Sequence, residues 1–475
     1  MTTTRTDPSP PSDEGANREP ASTASGRAPG GQVRPGTAVW LLARRIHFLA
    51  GLLVAPFLAV LALTGLAYAC TPQLNDLLYG EQLYVESATG QPRPVAEQIS
   101  AALAAHPEGE VTSVVLSEEE HRATRVVLEV PGLAGGAGFA AESLTVYVDP
   151  YTTTVTGSLV TVGDRPPAQA WLRELHGNLH LGEPGRIYAE FVASWLPFIV
   201  LGGLVLWRDR ARRARRAGGA RAPARSAPDR TRIRARHGVL GLWLTVGLLV
   251  LSVTGLTWST YAGARVDEVI EAVDARAPKL DPPKVLPPAQ AAVPMTVDQA
   301  VEVSRAEGLT GTVTVRPPVA VDEPFIVAES AEGLPVRKAS VAIDPYDARV
   351  TARQDWADYP LAAKLTTLGI AAHSGTLFGL ANQIVLVLLA LGAVVLLVLG
   401  YRMWWTRRPR AGGLPAPPGA LWRRLPARVA VPLVAAAVLL CWAMPVFGVS
   451  LAGFLVVDAV LGALLRRRGA SAQRG

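Results

Sequence analysis

The chain has 475 residues, of which 49% are hydrophobic and 18% charged, with a mean hydropathy of +0.25. That balance argues against an ordinary soluble domain and for an integral membrane protein. The formal net charge is +7, and the only two cysteines, Cys70 and Cys441, lie too far apart to suggest a disulfide framework or a cysteine metal site.

Residues 1–36, rich in Pro, Ser, Gly and Ala, read as a disordered cytoplasmic tail. No secretory signal is read there, because the first apolar run begins late and no small-residue cleavage pattern follows it. Apolar runs of membrane-spanning length occur around 47–69, 187–207, 237–258, 380–403, 429–446 and 448–465. The last two are divided only by a short turn near 447–448, so five or six spans are expected, and about six if the turn separates them. Basic residues set the orientation. Arg44 and Arg45 precede the first run, the 208–236 linker carries twelve arginines, another basic cluster occupies 402–410, and Arg466, Arg467 and Arg468 follow the last run. Six spans put all of these on one side, which the positive-inside bias makes cytoplasmic, together with both chain ends. The arginine run is compatible with binding nucleic acid or anionic lipid, but a topology signal explains it more simply, and no nucleic-acid partner is expected.

An internal duplication organises the chain. His47, Gly51, Thr64 and Gly65 correspond to His237, Gly241, Thr254 and Gly255 at identical spacing. His176, Gly182, Gly203 and Trp207 correspond to His373, Gly379, Gly400 and Trp404 at another constant offset. The expected fold is therefore a predominantly α-helical membrane protein. It has two parallel repeats, 40–210 and 232–407, each a span, an extracytoplasmic α+β module (75–165 and 266–358) and a second span. An appended helical hairpin over 429–466 has no counterpart. In the modules, "TSVVLS", "TRVVLEV" and "LTVYVDP", then "GTVTVRP", "PFIVAES" and "RKASVAIDP", read as strands of small antiparallel sheets. Helices are expected over 95–105 and 296–307, the second opened by Thr296 and Asp298. Asp149-Pro150-Tyr151 and Asp344-Pro345-Tyr346 end strands and begin turns.

The duplication also sorts the seven histidines. His106 and His121 are unmatched and read as surface residues. His47 and His237 open spans at the inner face, while His176 and His373 precede spans at the outer face. His180 has no twin, because Leu377 stands in its place. The 31 residues from His176 to Trp207 would cover roughly 46 Å as helix, more than a hydrocarbon core of about 30 Å. The outer histidines are thus expected at or above the interface, on an extension bent near Pro184. A two-fold axis along the membrane normal gives each matched pair two opposed imidazoles, the donor set of a b-type haem, which needs no covalent Cys-x-x-Cys-His attachment. Zinc would ordinarily require three or four protein ligands. Interfacial anchoring is the alternative for these histidines, and His180 remains an alternative outer ligand, a neighbour of His176 or a residue of a substrate approach. Gly51, Gly241, Gly177 and Gly182 leave room for a macrocycle or for close helix packing.

Arg45-Ile-His47, Thr64-Gly65-Leu66, Leu175-His176-Gly177-Asn178-Leu179, Gly203 with Trp207, His237 with Thr254-Gly255-Leu256, and His373 with Gly400 and Trp404 together resemble the PepSY-associated transmembrane family. That family includes iron-regulated membrane proteins and ferrisiderophore reductases. The modules ending at Asp149-Pro150 and Asp344-Pro345 look like PepSY domains. The resemblance covers about 40–407, and the hairpin and His180 lie outside its pattern. It implies a multi-pass protein of the cell membrane that carries one or two haem b groups per chain on His47, His237, His176 and His373. It further implies electron transfer outward to ferric siderophore or iron(III). No glycine-rich dinucleotide loop follows a strand, so a separate cytoplasmic reductase or membrane quinol would supply the electrons. Tyr147, Tyr151, Trp171, Tyr346, Trp356 and Tyr359 are aromatic candidates for the substrate approach, or equally for packing. Two rivals stand beside this reading. One is a non-catalytic binding or regulatory protein acting on an envelope partner; the other is a transporter, for which Glu190 and Asp458 are the only acids within the spans.

Overall fold

The structure, a computed structural model, describes residues 35–134, 141–216, 229–287, 293–330, 333–406 and 427–472. The tail expected over 1–36 lies almost wholly outside them, as does the middle of the 208–236 linker.

Four helices are long and apolar enough to cross a membrane. They are α1 (Pro35–Ala69), α5 (Glu183–Arg216), α6 (Asp229–Leu256) and α10 (Leu380–Trp405). A helix keeps every backbone polar group paired within itself, which makes it the natural form for an apolar run in lipid. The four pack as a closed ring, α1 against α5 and α10, and α6 against α5 and α10. Ala50, Val54, Leu58, Val192, Leu196, Leu244, Leu248 and Ala393 fill the centre. Side-chain hydroxyls lock neighbours across the seams: Ser252 donates to the Ala193 carbonyl at 2.7 Å and Tyr401 to that of Leu52 at 3.0 Å.

The C-terminal hairpin differs in detail from the expectation. Its helices are α11 (Ala427–Ala443) and α12 (Pro445–Ala472), so the break falls at Met444 and not at 447–448. Pro445 accounts for this, since proline fits the first turn of a helix and cannot continue the preceding one. At 17 residues α11 falls short of the roughly 20 needed for a span. Among the described residues four helices are thus of clear spanning length and composition, and the hairpin helices, of 17 and 28 residues, are not counted with them. The hairpin packs on α5 through Phe447 and Phe454, which meet Trp195 at 5.0 and 6.0 Å between ring centres, and the Trp195 Nε1–H donates to Ser450 Oγ at 2.9 Å.

Between the spans lie α2 (Thr71–Leu83), α3 (Val95–Ala105), strands β1 (Glu110–Leu116), β2 (Thr124–Glu129), β3 (Glu142–Val148) and β4 (Val155–Val162), then α4 (Pro167–Asn178). The second repeat follows with α7 (Tyr261–Ala272), α8 (Val297–Ala306), β5 (Val313–Arg316), β6 (Phe325–Glu329), β7 (Ser340–Ile343), β8 (Val350–Gln354) and α9 (Leu361–Ser374). The two small sheets expected from the sequence are one. The order is β4-β3-β2-β1-β5-β6-β7-β8, antiparallel at every pairing, with an open rather than a closed outline. β1 and β5 join the repeats through Val114 opposite Val315 and Leu116 opposite Val313. Their pairing satisfies the backbone groups that two separate sheets would leave open at an edge. α3 and α8 cover one face over a continuous core that includes Val114, Val126, Val146, Val315, Val327 and Ile343.

Two carboxylates fasten one repeat to the other. Asp298, on α8, accepts the N–H groups of Val95 and Ala96 at 2.5 and 3.1 Å, and so caps α3, whose own N-terminal proline has no side chain to do so. Glu190, almost fully buried in α5, accepts the N–H groups of Tyr261 and Ala262 at 2.9 and 3.0 Å at the start of α7. Its hydrogen bonds make it the cap at the start of α7. Replacing Asp298 with alanine is expected to cost about 1 kcal/mol through the lost cap. Glu190→Ala should cost more, about 1–3 kcal/mol, because two buried donors lose their acceptor. Thermal unfolding of the detergent-solubilised protein ranks the two.

Candidate functional site

The chain's matched histidines meet in pairs, one from each repeat. On the arginine side, His47 of α1 and His237 of α6 stand with ring centres 6.1 Å apart and planes at 72°. On the module side, His176 near the end of α4 and His373 near the end of α9 stand 6.5 Å apart, with planes at 48°. The helix-end sites arise because α4 and α9 stop short of the following spans. The extension bent near Pro184 is therefore a break: α4 ends at Asn178 and α5 begins at Glu183.

Each Nδ1 is held. His47 Nδ1 lies 2.7 Å from the Ile199 carbonyl oxygen, and His237 Nδ1 lies 3.2 Å from that of Leu396. A carbonyl only accepts, so both imidazoles donate from Nδ1. His176 Nδ1 is 3.1 Å from Thr64 Oγ1, and His373 Nδ1 is 2.7 Å from Thr254 Oγ1. Each threonine hydroxyl donates its proton to a carbonyl one turn back, Val60 at 3.0 Å or Val250 at 2.7 Å. Its oxygen accepts from the ring. With the protons assigned in this way all four histidines donate from Nδ1, His176 also toward the Leu61 carbonyl, which leaves each Nε2 free of these partners. Burial pushes both His176 and His373 down to about 4, so the outer rings are neutral at physiological pH.

Glycine gives each ring its place. A Cβ at Gly203 would come 2.9 Å from His47 Cε1, and one at Gly65 equally close to His176 Cε1. In the second repeat the corresponding clearances are 3.8 Å at Gly400 against His237 and 3.6 Å at Gly255 against His373. The flanking glycines singled out from sequence behave differently: added Cβ atoms at Gly51, Gly177 and Gly182 meet nothing within 4 Å.

The ring spacing can be set against the chemistry. Metal–nitrogen bonds of about 2 Å on opposite sides of one ion place two imidazole centres roughly 6 Å apart, which is close to the separation at both faces. Among the described residues no three His, Cys, Asp or Glu side chains gather as a metal site. The donor set is two imidazoles at each level. It suits a group that brings its own equatorial ligands and does not suit a bare tetrahedral ion.

His180 lies apart from these pairs. Its ring centre is 4.8 Å from that of Trp171, and it follows Leu179 in a left-handed turn, both residues having φ of 55°. Leu181 N–H bonds back to the Asn178 carbonyl at 2.9 Å, and a side chain at Gly185 would run into that same carbonyl. Of the aromatic candidates, Trp171 is 56% exposed and borders a shallow groove with Val160, Val162, Pro167 and Ala170. Tyr151 and Tyr346 instead close local loops by donating to the Glu120 and Val321 carbonyls at 3.0 Å. Tyr147 is buried beneath α2. Trp356 packs on Tyr359, with Lys364 Nζ 5.8 Å from its ring. The ring-backing role of Gly65, Gly203, Gly255 and Gly400 was signalled by their matched spacing. The acceptors Ile199 and Leu396 carried no such signal, because a main-chain carbonyl has no side-chain identity.

The pattern of the PepSY-associated TM region matches residues 44–407, so the chain belongs to that family. No curated protein matches it.

Two outcomes follow. Gly65→Ala and Gly203→Ala should each destabilise the protein by about 1–3 kcal/mol through overpacking against a ring. Gly255→Ala and Gly400→Ala, with ordinary van der Waals clearance, should cost little, and melting of all four variants tests the difference. The low values at His176 and His373 have a second consequence. The unfolded chain binds protons near the usual 6.5, where the folded rings do not. Stability of the protein without added cofactor should be full above about 6.5 and fall as the pH drops toward 4. Melting at pH 8 and pH 5 measures it, and His176→Ala with His373→Ala should flatten the slope.

Proposed function

We propose that this protein is a haem b-containing transmembrane electron-transfer protein that reduces ferric siderophore, or iron(III) itself, on its module face. The observation that supports the reading is the facing pair of Nδ1-anchored imidazoles at each end of the bundle. His47 with His237 would hold one haem through Nε2, and His176 with His373 a second. When bound, haem supplies reversible one-electron chemistry. The chain's own residues do the positioning: Ile199, Leu396, Thr64 and Thr254 fix ring rotation, and the glycines admit the rings against the helices. Each iron(III) reduced to iron(II) takes one electron, which a membrane quinol or a separate cytoplasmic reductase would provide. The arginine-rich side of the bundle faces the cytoplasm in this reading and the eight-stranded sheet faces outward from the cell membrane.

A second reading is a non-catalytic binding or regulatory protein whose sheet meets an envelope partner. It is favoured by the family match and by the lack of a three-ligand metal cluster among the described residues, which together require no cofactor. It leaves the pairing of four histidines across the repeats without a purpose.

The visible spectrum of the detergent-purified chain, before and after dithionite, separates the two, with haem and iron counted per chain. Bis-histidine haem gives sharp reduced α and β bands and a stoichiometry near two. His47→Ala and His176→Ala should each remove about half of the haem. A protein expressed with ample haem that carries none sinks the electron-transfer reading and leaves the binding protein.

A further inference from the structure

The flank of α4 beside the outer histidine pair carries charge that its counterpart in the second repeat lacks. Trp171, Arg173 and Glu174 border a groove of about 360 Å³ with Val160 and Val162 of the edge strand β4. That volume suits part or all of a small molecule. Arg173 stands three residues before His176 on the same helix, so the two lie on one side, a single turn apart. Burial holds its guanidinium below the ordinary arginine value, the charges of Arg165 and Arg186 push the same way, and Glu174 opposes them. The Glu174 carboxylate is shared: one oxygen lies 3.8 Å from Arg173 Nη1, and the other accepts from Asn178 Nδ2 at 2.6 Å. Like charges gathered at a partly desolvated surface create a field that favours an anion among them. The His180 ring, tilted by 32° against Trp171, steadies the aromatic wall of the groove. In the second repeat Trp171, Arg173, His180 and Arg186 correspond to Leu368, Ile370, Leu377 and Gln383, which carry no charge.

We propose that Arg165, Arg173 and Arg186, with the face of Trp171, seat the iron(III) acceptor, and that this acceptor is an anionic catecholate chelate and not a neutral or cationic hydroxamate. The guanidinium groups hold the negative ligand oxygens through charge-assisted hydrogen bonds. Trp171 offers its ring to an aromatic arm of the chelate. Because the charge belongs to the first repeat alone at these matched positions, the acceptor meets the outer pair from the α4 flank. As an acceptor seat the site rests on the electron-transfer reading above, whereas binding of the chelate requires no haem.

Calorimetric titration of the full-length protein in detergent with redox-inert gallium(III) chelates tests it. Gallium(III) tris-catecholate should bind about tenfold or more tightly than gallium(III) trihydroxamate, and added salt should weaken it. Arg173→Gln and Arg186→Gln should each weaken the catecholate about tenfold and leave the hydroxamate unchanged. Glu174→Gln, which removes the opposing charge, should tighten it. Trp171→Leu, the residue of the second repeat, should weaken it without altering the salt dependence. Equal affinity for the two chelates, or arginine variants that bind as the wild type does, overturns the inference. Should Arg173→Gln fail to fold, Arg186→Gln, at an exposed position, still decides. Titration in phosphatidylcholine nanodiscs with and without phosphatidylglycerol separates the chelate from a lipid headgroup. An affinity that phosphatidylglycerol leaves unchanged supports the seat, and a chelate displaced by it assigns the arginines to lipid and overturns the inference. A wild type that binds the catecholate but carries no haem removes the electron-transfer reading and keeps the binding site. One that carries haem and binds no catecholate does the reverse.

Discussion

The antiparallel seam between β1 and β5 is the constraint on which the arrangement depends. Three residue pairs, Val114 with Val315, Val115 with Thr314 and Leu116 with Val313, turn two modules into one sheet with a common core. α4 and α9 follow the two edge strands of that sheet, β4 and β8, and His176 and His373 near their ends stand 6.5 Å apart. The helical ring brings His47 and His237 together in the same way, with ring centres 6.1 Å apart. Capping across the repeats by Asp298 and Glu190 reinforces it, since each carboxylate on one half satisfies main-chain donors of the other.

Polar groups inside an apolar bundle need partners, and here the partners double as instruments of orientation. An imidazole free to flip could present either nitrogen. One whose Nδ1–H is committed to a carbonyl or to a threonine oxygen presents only Nε2. The cost of ordering the ring is met by a hydrogen bond that the buried N–H requires in any case. Clearance is met by glycine, and the tighter fit in the first repeat, at Gly65 and Gly203, makes that half the less forgiving of substitution.

Much of this was legible in the sequence, for a physical reason in each case. The helix over Val95–Ala105 was expected with the bounds observed, and Thr296 with Gln299 forms a capping box at the start of α8. The matched histidines gave the candidate pairs, because a duplication with an axis along the membrane normal leaves little choice of partner. The seam between β1 and β5 was not legible, since the alternation of Val and Thr in a strand states which face is buried but not which edge is paired. β4 and β8 were missed for a related reason: "VTGSLVTV" and "VTARQ" are half-exposed edge strands with weak apolar alternation. For His180 the sequence left open an outer ligand, a neighbour of His176 or a residue of a substrate approach, because the left-handed turn at Leu179 and His180 that carries its ring to Trp171 has no side-chain signal.

The hairpin that seats on Trp195 breaks the twofold likeness of the bundle. At the position equivalent to Trp195 the second repeat has Gly392, and Leu244 of the neighbouring helix occupies the space a side chain would need. A second hairpin would therefore find no aromatic anchor at this position of α10. The hairpin thus gives one half of a duplicated bundle a partner that the other half lacks the side chain to hold.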